Sequence, residues 1–288
     1  MLRLVALICL LLPSFVHAQD SNFRTWVLVT SPEAVSVSDD QLGDIEVLQD
    51  GHPAKEGRPI IQRDVRFHIG LVFYESGSGG HLLDHDASLQ HVLDWAANTV
   101  QGKKGDAFLV GFNDSIVIST EITTDTPQLQ RALSQLHPVG GSALRDAIIH
   151  SAHKFDSVPQ GAQPMAPLLV IVTDGHDNAS RANEREVIES VQSSGGRAYV
   201  ICLPGGGTFD KSFLKHVSSN TGGRAFFPTT KNDLDRALGE IENALANSFL
   251  IGFVPESHDG KAHELTVRFP KTKSNFGYMP VFYSPAVR

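Results

Sequence analysis

The chain has 288 residues, 41% of them hydrophobic and 19% charged, with a formal charge of −8. That length holds one large domain or two small ones, and the composition is that of a folded chain rather than a disordered one. An acidic balance without a dense run of Lys or Arg excludes the basic stripe that nucleic-acid binding requires.

Residues 1–18, MLRLVALICLLLPSFVHA, join one basic residue, an apolar stretch and the end Val16-His17-Ala18, the pattern of a cleaved secretory signal. Pro13 interrupts the stretch from Leu4 to Val16, which is shorter than the roughly 20 residues of a bilayer span. A lipid anchor at Cys9 is disfavoured by Ile8, where a small residue is expected. Cleavage removes Arg3 and no acid, taking the charge from −8 to −9, and leaves Cys202 as the lone cysteine, so no internal disulfide forms. The expected product is secreted or periplasmic, with no stable membrane span.

Residues 19–63 contain the short strands TWVLVT and DIEVLQD and a turn at Asp50-Gly51. Residues 64–247 alternate apolar runs with helical periods, which predicts a doubly wound, mostly parallel α/β sheet. FHIGLVFY, AFLVGFN, PLLVIVT and RAYVICL are continuously apolar, as strands covered on both faces must be. Cys202, inside the last of them, reads as an inert core thiol.

In DASLQHVLDWAANTV, Leu89, Val92, Leu93 and Ala96 share a helix face, with Asp86 or Ser88 as the cap. TPQLQRALSQL starts with Thr126 as cap and Pro127 in the first turn. SALRDAIIHSAHKF, NEREVIESVQSS and NDLDRALGEIENAL follow, and Asn113-Asp114 turns AFLVGFN back into the hairpin strand SIVIS. Residues 248–288 return to strands, SFLIGFVP, HELTVRFP and VFYS, with a turn near Asp259-Gly260. The two terminal segments are expected to form a small β module beside the α/β domain.

Ligands of an open α/β sheet bind beyond the carboxyl ends of its strands. Three loops stand out there: Tyr74-Glu75-Ser76-Gly77-Ser78, Gly140-Gly141-Ser142-Ala143-Leu144 and Thr173-Asp174-Gly175-His176-Asp177. In order and spacing they resemble the metal-ion-dependent adhesion site of the von Willebrand factor A domain: DxSxS, then a Thr, then an Asp. The resemblance covers about residues 64–247, with LLVIVTDGHDN and GGSALRDAI as its most specific portions. The flanks DIEVLQDGHPAKE and SFLIGFVPESHDGKAHELTVRFP are similar to the VWFA-related proteins of Acidobacteria. It implies a non-enzymatic protein-binding module.

Carried over by position, Ser76, Ser78, Ser142 and Asp174 stand at the metal-site positions, and Tyr74 replaces the first Asp. A hard divalent ion such as Mg²⁺ wants oxygen ligands and enough negative charge to offset its dehydration. Losing one carboxylate at Tyr74 makes the site degenerate, with weak Mg²⁺ binding or none. Glu75 points away by strand alternation. Asp177 either adds charge or caps its own turn. The face presented to a protein partner is then Tyr74, Ser76, Ser78, Ser142, Asp174 and Asp177. The plainer alternative is a loop cluster in which the serines and Asp174 satisfy one another and Tyr74 packs over the sheet edge.

No GxSxG elbow or phosphate loop occurs, and His176 is not expected to face its neighbour Asp174, so no catalytic set is read. His150 and His153 share a helix face, read as a solvated flank. A second functional reading makes the chain a structural or envelope-assembly component that associates through β edges.

Overall fold

The protein is described by a computed structural model covering residues 25–30, 45–74, 85–103, 105–137, 140–157, 164–205, 209–255, 263–268 and 281–283. Glu75, Ser76, Ser78 and the turn at Asp259-Gly260 lie outside the described residues.

In chain order the elements are β1 (Thr25–Thr30), β2 (Glu46–Gln49), β3 (His52–Pro53), β4 (Lys55–Gln62), β5 (Arg66–Tyr74), α1 (His85–Lys103), β6 (Asp106–Phe112), β7 (Ile116–Ser119), α2 (Thr126–Leu133) and α3 (Leu144–Asp156). They continue with β8 (Met165–Thr173), α4 (Glu184–Ser193), β9 (Arg197–Cys202), α5 (Lys211–Asn220), β10 (Ala225–Phe226), α6 (Lys231–Ala246), β11 (Ser248–Val254), β12 (His263–Arg268) and β13 (Val281–Tyr283).

The four apolar runs become the middle of a six-stranded sheet in the order β10-β9-β8-β5-β6-β7, parallel except for the hairpin strand β7. Strand alternation divides their side chains between two cores. Phe67, Ile69, Leu71 and Phe73 of β5 face α1, α2 and α6, while Val72 and Tyr74 face α3, α4 and α5. Each such fully buried side chain stabilises the fold by roughly 1.5–3 kcal/mol. At the opposite end of the sheet, His68 Nδ1 and Asp106 Oδ1 meet at 2.5 Å and tie β5 to β6.

Helix starts follow local chemistry. Asn183 accepts from the Glu186 N–H while the Glu186 carboxylate accepts from the Asn183 N–H, a reciprocal cap for α4. In α2 the cap is Asp125 rather than Thr126, which is already helical and followed by Pro127. Helix α1 starts at His85, so Asp86 and Ser88 lie inside its first turns rather than before them.

The terminal segments do meet. β1 pairs antiparallel with β11, which pairs with β4, and β2 pairs antiparallel with β12. The two small sheets enclose Val27, Val29, Phe249, Ile251 and Phe253 on one side and Ile45, Val47, Leu265 and Val267 on the other. The reverse face of the first sheet sends Leu28 and Leu250 into the core under α1 and α6. Arg197, buried at the start of β9, donates to the Leu28 carbonyl and the Thr30 hydroxyl, so the module is seated on the central sheet by polar contacts as well. Burial lowers the pKa of that guanidinium.

Candidate functional site

The second and third loops close over the carboxyl end of β8. Gly175 has φ +85°, and a Cβ there would sit 2.6 Å from Phe209 Cδ2, so this turn excludes side chains. The left-handed turn brings the side chains on either side of it together. Asp174 Oδ1 accepts the His176 N–H at 3.1 Å, and Asp174 Oδ2 lies 3.2 Å from His176 Nδ1. The sequence expectation that these two residues do not face each other is therefore corrected; the turn at Gly175 is the physical reason. Asp174 is almost fully buried, whereas 28% of the His176 side chain is exposed. Behind them, burial and then the nearby Asp174 carboxylate push the Cys202 thiol up to about 12. Such a thiol stays protonated and inert at neutral pH.

Ser142 is buried and fixed from several directions. Its N–H donates to Asn178 Oδ1 at 2.8 Å, its hydroxyl donates to the His176 carbonyl at 2.6 Å, and its own carbonyl accepts from the Asn178 and Ala179 N–H groups at 2.9 and 3.0 Å. The third loop then satisfies the first turn of α3. Asp177 Oδ2 accepts the Arg145 N–H at 2.9 Å, Ser180 Oγ accepts the Asp146 N–H at 3.2 Å, and the Asp146 carboxylate accepts from Arg181 and Ala182. The cap residue of α3, Ala143, has no side-chain oxygen to do this itself. Asp177 also lies 3.8 Å from the Arg145 guanidinium, which stacks over Phe213.

Tyr74 ends β5 with its ring in the core below the loops, 5.5 Å from the Phe112 ring. The neighbouring rim carries Phe209 stacked on Phe227, with Lys211 Nζ 4.3 Å above the latter ring.

The described donors are a poor match for a hard divalent cation. Asp174 is the one carboxylate of the four positions read from the sequence, and both its oxygens engage His176. The Ser142 hydroxyl points its proton at a carbonyl, and the Tyr74 ring packs among hydrocarbon. Among the described residues, no three of His, Cys, Asp and Glu gather as a metal-holding group. Such a set offers little charge against the dehydration of Mg²⁺.

Of the residues singled out in the sequence, Ser142, Asp174 and Asp177 come together, Tyr74 lies beneath them, and Ser76 and Ser78 lie outside the described residues. Sequence reasoning missed Arg145, Asp146, Asn178 and Ser180. A helix whose own cap position is Ala, followed by an acid in its first turn, was the available signal.

The sequence profile of the von Willebrand factor type A domain matches residues 90–243, just over half of the chain. The chain belongs to the von Willebrand factor type A family. A similar A-type arrangement is found in an aerotolerance-related membrane protein from Bacteroides fragilis, 15% identical, with a TM-score of 0.50 over 62% of this chain and 98% of that one. A von Willebrand factor type A protein from Catenulispora acidiphila is 11% identical over 91% of this chain and 74% of its own, at a TM-score of 0.47. The manganese-loaded TRAP protein of Plasmodium vivax is 13% identical over 80% and 98%, at 0.49. Comparison with curated protein sequences gives no match. Among the described residues no helix is long and apolar enough to cross a membrane.

Proposed function

We propose that this von Willebrand A-type protein is a secreted or periplasmic protein-binding module, and that its binding face is formed by loops 74–80, 140–143 and 174–178. Tyr74, Ser142, Asp174 and Asp177, read from the sequence as contact residues, have buried side chains and instead hold the shape of this face; Ser76 and Ser78 belong to its first loop, and the face engages its partner without a divalent cation. In this reading residues 1–18 are the signal, 19–63 and 248–288 supply the β module, and 64–247 form the A-type domain. The sequences DIEVLQDGHPAKE and SFLIGFVPESHDGKAHELTVRFP support reading it as similar to the VWFA-related proteins of Acidobacteria.

One observation carries the metal-independence: the carboxylate and hydroxyl that an ion would claim are held by His176, in a loop anchored to the start of α3 by protein hydrogen bonds. A loop cluster tied in this way is preorganised, and preorganisation lowers the ordering cost of binding. A hydrolytic reading lacks its geometry, because the Ser142 hydroxyl bonds the backbone carbonyl of His176 rather than its imidazole.

The test immobilises the full chain, exposes it to an envelope extract of the producing cells in magnesium and in chelator, and repeats this with Ser78→Lys. The reading expects the same protein captured under both conditions and lost with Ser78→Lys. Capture that vanishes in chelator overturns metal-independence, and capture indifferent to Ser78→Lys overturns the loop face.

A further inference from the structure

Tyr74, Ser142 and Asp174 are buried, so recognition at the loop face falls to exposed groups beside them. The segment from the end of β9 to the start of α5 supplies such groups. A Cβ on Gly205 would stand 2.8 Å from Asp174 Cβ, and the Phe209 ring closes on Gly175, so this segment lies directly against the third loop. Phe209 stacks on Phe227 with ring centroids 6.2 Å apart, and both side chains are half-buried. Lys211 is exposed and holds its Nζ 4.3 Å from the centre of the Phe227 ring.

The charges of this rim are unequally used. Asp177 caps α3, Asp210 accepts the Phe213 N–H at 2.9 Å, and Arg145 lies between these two carboxylates at 3.8 and 3.9 Å. Both acids are thus committed within the protein. Arg224 and Arg236, likewise exposed, pair with Glu240 at 2.7 Å and Asp233 at 3.3 Å. Among the described residues no carboxylate pairs with Lys211, nor with the exposed Lys215 one turn further along α5. In a chain of formal charge −8, two unpaired ammonium groups beside a binding loop complement an anionic occupant. The adjoining ring pair calls for an apolar side chain next to that charge, which a protein segment supplies and a free inorganic anion does not. Two lysines without a longer basic stripe suit carboxylates rather than a phosphate chain.

We infer that this rim is the specificity element of the loop face and takes an acidic segment of a protein partner. A carboxylate of that segment pairs with the Lys211 ammonium, while a neighbouring aromatic or Leu side chain packs on Phe209 and Phe227. Charge draws the segment in, and the apolar contact holds it. The inference rests on the function proposed above, because the rim extends the same face.

Fluorescence polarisation of labelled short peptides against the full chain, in chelator, tests it. The peptides carry a central Phe flanked by Glu, by Gln or by Lys, or a central Ala flanked by Glu. The peptide with Phe between Glu residues is expected to bind below about 1 mM, and the other three at least ~10-fold more weakly. Lys211→Glu is expected to invert the order in favour of the Lys-flanked peptide. It places an acid in the first turn of α5, where the helix dipole favours one, and circular dichroism confirms its fold. Lys211→Ala, a second variant, is expected to erase the preference for Glu over Gln. No binding of any peptide, equal binding of the Glu-flanked and Lys-flanked peptides, or an order unchanged in the folded variants overturns the inference. Capture from the envelope extract separates it from the function on which it rests. Capture lost with Ser78→Lys but kept with Lys211→Glu overturns the rim alone, whereas capture indifferent to both overturns the loop face.

Discussion

Removing the Asp177 carboxylate is the sharpest perturbation of the loop anchorage. In Asp177→Ala the Arg145 N–H loses its acceptor at 2.9 Å, the Ser180 N–H loses one at 3.2 Å, and the Arg145 guanidinium loses a partner at 3.8 Å. The carboxylate is 7% exposed, so water does not readily replace it. A hydrogen bond to a charged group contributes about 1.5–3 kcal/mol, and here it is also the helix cap, so it is counted once. The second bond adds about 1 kcal/mol, and the partly exposed ion pair, discounted for screening, adds at most about 0.5 kcal/mol. The sum is roughly 2.5–4.5 kcal/mol, or about 5–18 °C in Tm at 2–4 °C per kcal/mol for a protein near this size. Asp177→Asn keeps one acceptor oxygen and is expected to lose about half as much. Thermal unfolding followed by circular dichroism reads both. A shift below about 2 °C for Asp177→Ala would refute the anchoring role and return Asp177 to a solvated turn residue.

Further expectations concern the same loops. Gly175→Ala forces an alanine to φ +85° against Phe209 and is expected to destabilise the protein by about 2 kcal/mol, seen as a lower urea midpoint with an unchanged slope. The folded-state pKa of Cys202, about 12, lies above its ordinary value of 9.0, so the folded protein retains a proton that the unfolded chain releases. Stability from this group is therefore unchanged below pH 9 and falls as pH rises from 9 toward 12, which denaturant titrations across that window measure. The same burial predicts that iodoacetamide at pH 8 leaves native Cys202 unmodified and alkylates it rapidly in urea; fast labelling of the native protein would contradict the buried placement.

Particular elements show what could be read from the sequence. The runs at 66–74, 106–112, 165–173 and 197–202 are continuously apolar because they are covered on both faces, so the parallel sheet follows directly from composition along the chain. The partners of the terminal strands were not available in the same way. β1 meets β11 more than two hundred residues later, as the Thr30–Ser248 hydroxyl contact at 2.7 Å illustrates, and local periodicity carries no information at that separation. The cap of α2 is displaced by one residue, from Thr126 to Asp125, which is the ordinary scale of uncertainty at a helix end.

At the site, residue types indicated which loops converge, but not how their polar groups are used. The pairing of Asp174 with His176 depends on the positive φ of Gly175, and the seating of the loop on α3 depends on the absence of a cap at Ala143. Both are consequences of backbone geometry. Tyr74 stood out in the sequence as a phenol at the position where the resemblance expects a carboxylate, whereas the direction of its ring, toward Phe112, is fixed by the face of β5 that carries it.

The central claim is that the loop face works without a metal ion. Isothermal titration calorimetry of Mg²⁺ and Mn²⁺ into the chelator-stripped full chain tests it most directly. The account predicts no saturable heat at millimolar ion and an unchanged Tm, whereas stoichiometric binding with a micromolar dissociation constant would contradict it.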